Sequence, residues 1–396
     1  MRRILFGLAL AALLIACSKD KDVDRPKQLV RIVSPAMHVT RVWSASVGGT
    51  RKPLRLGLAL GIRDGTVYAA GEKGEVAAFN LATGRPLWRV HTKVLLGAGP
   101  TSSGDLVVVG GTDGDVIALD PANGHVRWHV NTADEILAPV AASPRIVVVR
   151  AVDGKLHGLS PADGHELWQL QQPVPRLSLR GTSRPQISGD FAVCGFDNGK
   201  VVAANLSDGS NAWETTISPP QGRTEIERLN DVDAPPRIDG SDVYVAQFQG
   251  KVAMLALDTG QIWWSHDMSS YRGLSLDLDD ELLYVSTSEG AIVALRRRTG
   301  EQVWKQEALL HRRLSAPAVA DDAIIVADFQ GYVHWLNKST GAIMARVRAG
   351  KAPISNPPIA TGKMLIVIND RGKLNAFQAT PVASASTAAP AAKPSG

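Results

Sequence analysis

Few residues of this 396-residue chain are spaced for bond-making chemistry. It has no G-x-S-x-G elbow, no phosphate-cradling G-x-x-x-x-G-K-[ST] loop and no H-E-x-x-H zinc pair. His165 and Glu166 supply only the first two letters of the last. His125 and His129 stand four apart but flank a strand-like HVRWHV, where that spacing does not build the ligand pair a helix would. The other histidines are scattered singly, and the acidic residues gather at turns, where carboxylates cap backbone groups. The reading is therefore no catalytic, cofactor-binding or metal-binding residues. Two groups invite the chemistry of recognition instead. Leu177, Leu179 and Arg180 set two large aliphatics beside a guanidinium, the composition of a protein-binding patch. Farther on, Glu225, Ile226, Glu227, Arg228, Leu229, Asp231 and Asp233 place carboxylates around two aliphatics. Asp231 and Asp233 lack the further oxygen ligands and the turn glycine of a calcium loop. Arg180 against those carboxylates reads equally as part of a docking patch or as an internal brace.

The element that must position these groups is a repeat. Eight times a glycine opens the same phrase, and in six copies a tryptophan follows fourteen residues later: Gly74 and Trp88, Gly114 and Trp128, Gly154 and Trp168, Gly199 and Trp213, Gly250 and Trp264, Gly290 and Trp304. The copy at Gly331 puts Ala345 where the tryptophan belongs, and the copy at Gly372 stops half-way. Its missing half stands at the other end of the chain, around Trp43. A strand-rich repeat of about forty residues signals a solenoid or a propeller. A last repeat completed by the first strand signals a closed ring. The expectation is an all-β, eight-bladed β-propeller of four-stranded antiparallel blades.

One unit shows why. LVVVGG is a β-branched run, TDG a tight turn, DVIALD a second strand, PANG another turn and HVRWHV a third strand, and LAPVAA reads as a short inner strand. The tryptophans read as core that packs into the adjoining blade. Successive glycines are 40, 40, 45, 51, 40, 41 and 41 residues apart. The two long intervals are neighbours, and their extra residues follow Trp168 and Trp213. Both fall between the outer strand of one blade and the inner strand of the next, a connection that always emerges on the same rim. Leu177, Leu179, Arg180, Asp231 and Asp233 are thus expected side by side on a rigid platform, the usual setting of functional loops. Neutral insertion into tolerant loops would give the same spacing.

The ends read differently. Arg2 and Arg3 precede an apolar stretch too short to span a bilayer, so residues 1–16 are expected to be a signal peptide. Leu14, Ile15, Ala16 and Cys17 resemble a bacterial lipobox, which makes Cys17 the lipidated first residue. Ser18 in place of an aspartate resembles the outer-membrane address. Residues 17–38 then form a mobile tether, 39–378 the propeller and 379–396 a disordered Ala/Pro/Ser tail. Cys194 remains as a single thiol, so no internal disulfide staples the fold. A formal charge of +5 with interspersed signs gives no basic stripe for nucleic acid.

The G-x-V-x-A-L-D-x-x-T-G-x-x-x-W phrase resembles the repeat of pyrroloquinoline-quinone (PQQ) dehydrogenases, which are eight-bladed. Those enzymes carry a vicinal cysteine disulfide against the cofactor, and no two cysteines here are adjacent. A closer resemblance covers nearly the whole chain. LSLRG (177–181), TEIERLNDVD (224–233), LLHRRLSAP (309–317) and GYVHWLN (331–337) are similar to the BamB family of propeller lipoproteins in the outer-membrane β-barrel assembly machinery. That resemblance implies a non-catalytic subunit of the Bam complex, without cofactor, held by lipid on the periplasmic side of the outer membrane. It implies docking of Leu177, Leu179, Arg180, Asp231 and Asp233 on the periplasmic POTRA domains of BamA, with unfolded outer-membrane proteins as further partners. The alternatives are a PQQ-type periplasmic dehydrogenase and a propeller that binds peptide or carbohydrate in its central channel.

Overall fold

The computed structural model describes residues 25–48, 57–179 and 183–382. Their strands form eight four-stranded antiparallel sheets arranged as the blades of a propeller. Seven blades take four consecutive strands each. Blade 8 takes Ile359–Thr361, Met364–Ile368 and Lys373–Pro381 and receives its outer strand, Met37–Ser46, from the other end of the chain. The eight-bladed ring and its closure are those the repeats imply.

Each blade follows from its local sequence. In blade 2 the strand Leu106–Gly111 is buried along its whole length, because neighbouring blades cover both of its faces. Gly114 then turns the chain at φ 87°, a conformation that glycine adopts without penalty. The outer strand Val126–Asn131 exposes most of its residues but buries Trp128.

Indole docking joins blade to blade. Trp128 donates its ring N–H to the Pro161 carbonyl of blade 3 at 2.8 Å, and its ring lies against Gly164 in the turn before that blade's outer strand. A Cβ on Gly164 would stand 2.6 Å from the indole, so this position must be glycine. The same bond recurs from Trp43 to Leu81, Trp88 to Pro121, Trp168 to Leu206, Trp213 to Leu257, Trp264 to Arg297 and Trp304 to Lys338. Across the strand pair each indole faces a smaller residue: Ala376, Ala78, Ala118, Gly158, Ala203, Met254 and Ala294.

Blade 7 reverses the pair, with Trp335 on the third strand facing Ala345 on the outer one. The reason lies in the ring closure. An indole at 345 would dock on the turn between the third and fourth strands of blade 8, but those strands come from opposite chain ends and no turn joins them. Trp335 fills the space from inside, edge-on to Phe377 at 6.2 Å.

Residues 25–36 differ from the mobile tether their composition suggests. The Lys27 N–H donates to Leu310 O at 3.0 Å, Val30 O accepts from Arg346 at 2.9 Å, and the Ala36 N–H donates to Met344 O at 2.9 Å. Arg312, buried beneath, donates to Lys27 O at 3.0 Å and to Asp328 Oδ2 at 2.8 Å. Burial keeps His334 neutral by pulling its pKa down, so its Nε2–H donates to Asp328 at 3.1 Å while Nδ1 accepts from Arg346. Few apolar residues are needed when a buried ionic cluster holds the backbone, which is why hydropathy missed this strap. Residues 1–24 and 383–396, with the expected signal peptide, Cys17 and most of the tail, lie outside the described residues.

Trp128→Ala is expected to cost about 3–5 kcal/mol of stability. Ala345→Trp, which restores the repeat consensus, is expected to cost about 1–3 kcal/mol by overpacking. Denaturant unfolding of both variants checks the pair, and a stabilised Ala345→Trp would contradict the seam explanation.

Candidate docking rim

Loop 172–185 joins the outer strand Glu166–Gln171 of blade 3 to the inner strand Gln186–Ser188 of blade 4. Loop 217–236 joins Asn211–Thr216 of blade 4 to Arg237–Asp239 of blade 5. Antiparallel order sends both to the same rim. The first loop is fixed at its root, where Gln172 Nε2 donates to Glu214 at 2.8 Å and Asn198 Nδ2 donates to Pro173 O at 3.3 Å. Gln247, wholly buried, clamps the second: its Nε2 donates to Asn230 O at 2.8 Å and its Oε1 accepts from the Ser218 hydroxyl at 2.6 Å. Thr224 and Glu227 form a capping box. The Glu227 carboxylate accepts the Arg223 and Thr224 N–H groups at 2.8 and 3.1 Å, and the Thr224 hydroxyl accepts the Glu227 N–H at 3.2 Å. Those backbone donors hold the Glu227 carboxyl below its usual pKa. The turn presents Ile226 to solvent, 67% exposed.

A buried carboxylate ties the loops together. Asp231 is inaccessible to solvent, and its Oδ2 accepts the Leu179 N–H across the gap. Its own carbonyl accepts the Phe248 N–H at 2.9 Å, and the next residue, Val232, donates to Phe196 O at 3.1 Å. The Ser183 hydroxyl adds a second tie, to Ala234 O at 3.2 Å. Burial, reinforced by Asp197, pushes the Asp231 carboxyl up to about 7, against the pull of the Leu179 N–H. Asp233 is buried as well. Both aspartates are therefore buried, and Asp231 positions the first loop. Leu177 is 41% exposed and Leu179 half-buried. Arg180 lies outside the described residues.

Leu179 also lines the mouth of the central channel, a funnel of about 420 Å³. Phe248 and Phe329, from matching FQG turns of blades 5 and 7, share its wall with Tyr271, Arg272, Arg313 and Asp370. Phe248 meets Tyr271 edge-on at 6.0 Å, and the Arg272 guanidinium stands 5.1 Å from the Tyr271 ring and donates to Ser355 O at 3.3 Å. Reading the chain for period alone missed this wall; the repeated FQG was its signal. His129 bonds to Asp115 on the surface at 2.7 Å. Cys194 is buried, which pushes its thiol up to about 12, far from a reactive thiolate. Among the described residues no three His, Cys, Asp or Glu side chains gather as a metal site.

The sequence matches the family described as "Outer membrane protein assembly factor BamB" over residues 72–306 and 292–381. It is 44% identical to the protein of that name from Alkalilimnicola ehrlichii over 377 residues, 95% of this chain and 97% of that one. The crystal structure of BamB from Moraxella catarrhalis superposes with a TM-score of 0.77 at 26% identity, covering 86% of this chain and all of that one. A quinohemoprotein alcohol dehydrogenase from Comamonas testosteroni reaches a TM-score of 0.69 at 13% identity, over 86% of this chain and 76% of that one, a likeness of fold alone.

The Asp231 carboxyl sets a pH dependence. Its native value of about 7 lies above the ordinary carboxylate value near 4, so the native state holds the proton more firmly. Stability from this group is full below pH ~4, falls as pH rises towards 7 and is level above it. Asp231→Asn is expected to remove that component. Melting curves at pH 5 and pH 8 should then show a smaller loss for the variant than for the native protein. Equal losses would contradict the assignment.

Proposed function

The chain belongs to the BamB family of outer membrane protein assembly factors, and on that premise we propose a non-catalytic scaffold whose rim docks on the periplasmic POTRA domains of BamA. The observation that carries the reading is the tie between the two long loops. Asp231 holds the Leu179 backbone, so the stretch that carries Leu177 and Leu179 is tied down before a partner arrives. A pre-ordered loop forfeits little entropy on binding. Leu177 is the exposed anchor, Leu179 extends the apolar surface to the funnel mouth, and Arg180 supplies charge-assisted hydrogen bonds. Asp231 and Asp233 act from beneath as positioning residues.

Lipid on Cys17 would hold the ring to the periplasmic face of the outer membrane, several buried acyl chains making the anchor permanent. The ring would then fix the orientation of the POTRA arm, so that unfolded barrel precursors reach the Bam complex productively. This work needs no bond-making residue and no cofactor, in keeping with the absence of any catalytic signature in the sequence.

Leu177→Ala with Leu179→Ala is expected to weaken binding to purified POTRA domains by at least tenfold, about 1.4 kcal/mol or more. Asp231→Ala should weaken it as well, although that side chain touches no solvent. Titration calorimetry measures both, with circular dichroism to confirm an intact ring. Native affinity in the folded double variant would move the interface elsewhere.

A further inference from the structure

Neither the third strand of blade 7, Tyr332–Asn337, nor its outer strand, Ile343–Arg348, carries a carboxylate. On blades 1, 4 and 5 the residue that opens the third strand pairs with an opposite charge on the outer strand, Glu75 with Arg89, Lys200 with Glu214 and Lys251 with Asp267, and on blade 2 Asp115 bonds to His129. Blade 7 has Tyr332 there, facing Arg348. The Arg348 guanidinium lies 5.1 Å from the Tyr332 ring and donates through Nε to Gly350 O at 3.1 Å. Arg346 donates to His334 and to Val30 O. Arg41, on the outer strand of blade 8, donates to Arg348 O at 3.2 Å and stands 5.8 Å from the Phe377 ring. Rings, carbonyls and the His334 imidazole thus hold three guanidiniums on these two outer strands, with Asp328 acting on Arg346 from beneath. Arg31 and Lys351, both exposed, follow Val30 and Gly350 and extend the row. Among the described residues none of these five forms an ion pair with a carboxylate.

We propose that this basic edge of blades 7 and 8 is a docking surface for a bilayer bearing anionic phospholipids. Guanidinium suits phosphate through its planar fork of donors, and the terminal nitrogens of Arg348 have no hydrogen-bond partner among the described residues. The strap 25–36 lies along the same edge, and the chain from Arg25 back to Cys17 can span at most about 30 Å. The proposal rests on the lipid-anchor reading for the nearness of a bilayer and is independent of POTRA docking. In a ring of eight, blade 8 lies opposite blade 4, which carries both long loops. A ring laid on the membrane by its basic edge would turn its docking rim sector towards the periplasm.

The test is co-sedimentation of the chain from Ser18 onward, whose ring is closed within residues 37–381. The vesicles are phosphatidylcholine alone or mixed with phosphatidylglycerol. The native protein is expected to bind only the mixed vesicles and to leave them in about 0.5 M salt. Arg41→Gln with Arg346→Gln and Arg348→Gln should weaken binding on the order of a hundredfold, while the triple lysine variant keeps most of it. Should the glutamine triple misfold by circular dichroism, Arg31→Gln with Lys351→Gln should still weaken binding on the order of tenfold. POTRA affinity of the same variants is expected to stay native, so the two readings fail separately. Native binding to neutral vesicles, to neither kind, or undiminished by the charge-removing variants overturns the proposal.

Discussion

The ring depends on one repeated contact, an indole from seven of the eight outer strands laid on the turn of the next blade with its N–H bonded to a carbonyl there. The contact joins a large apolar surface to a directional bond, so it fixes both spacing and angle between blades. It dictates the glycine under each ring, because a Cβ would meet the indole well inside van der Waals distance. It also dictates its own exception. The blade before the seam has no turn to dock on, and Ala345 with Trp335 is the answer of the sequence to that missing turn.

A frame held in this way lets the loops between blades carry function without holding the fold. Blades 3 to 5 use that freedom for two long loops, and the buried Asp231 makes them one unit. A carboxylate with its pKa raised so far is a cost to the native state, accepted where it orders a loop that must be ready for a partner. Across the ring, blade 7 places Tyr332 where blades 1, 4 and 5 open an ion pair, and the Arg348 guanidinium lies against that ring.

Most of the ring was legible in the sequence, because glycine and tryptophan at fixed spacing have few structural readings. The closure was legible too, since Trp43 stands where the eighth repeat lacks its half. Asp231 and Asp233 were placed on the second long loop but read as candidates for an exposed surface; sequence alone does not show which way a loop carboxylate points. Asp231 braces the first loop through the Leu179 backbone, whereas the Arg180 brace that the sequence also allowed lies outside the described residues. Residues 25–36 were read from charge as a free tether, and the buried Arg312, Asp328 and His334 that hold them are scattered over two loops and a strand. Of that cluster, LLHRRLSAP holds Arg312 and GYVHWLN holds His334, while Asp328 lies between the two phrases.

Hydrogen exchange of the ring with and without POTRA domains tests the central claim most directly. The account predicts slow exchange at the Leu179 amide in the free ring, with added protection on binding confined to 174–179 and 224–233. Fast exchange at Leu179 in the free ring, or protection that falls on other blades, would contradict it.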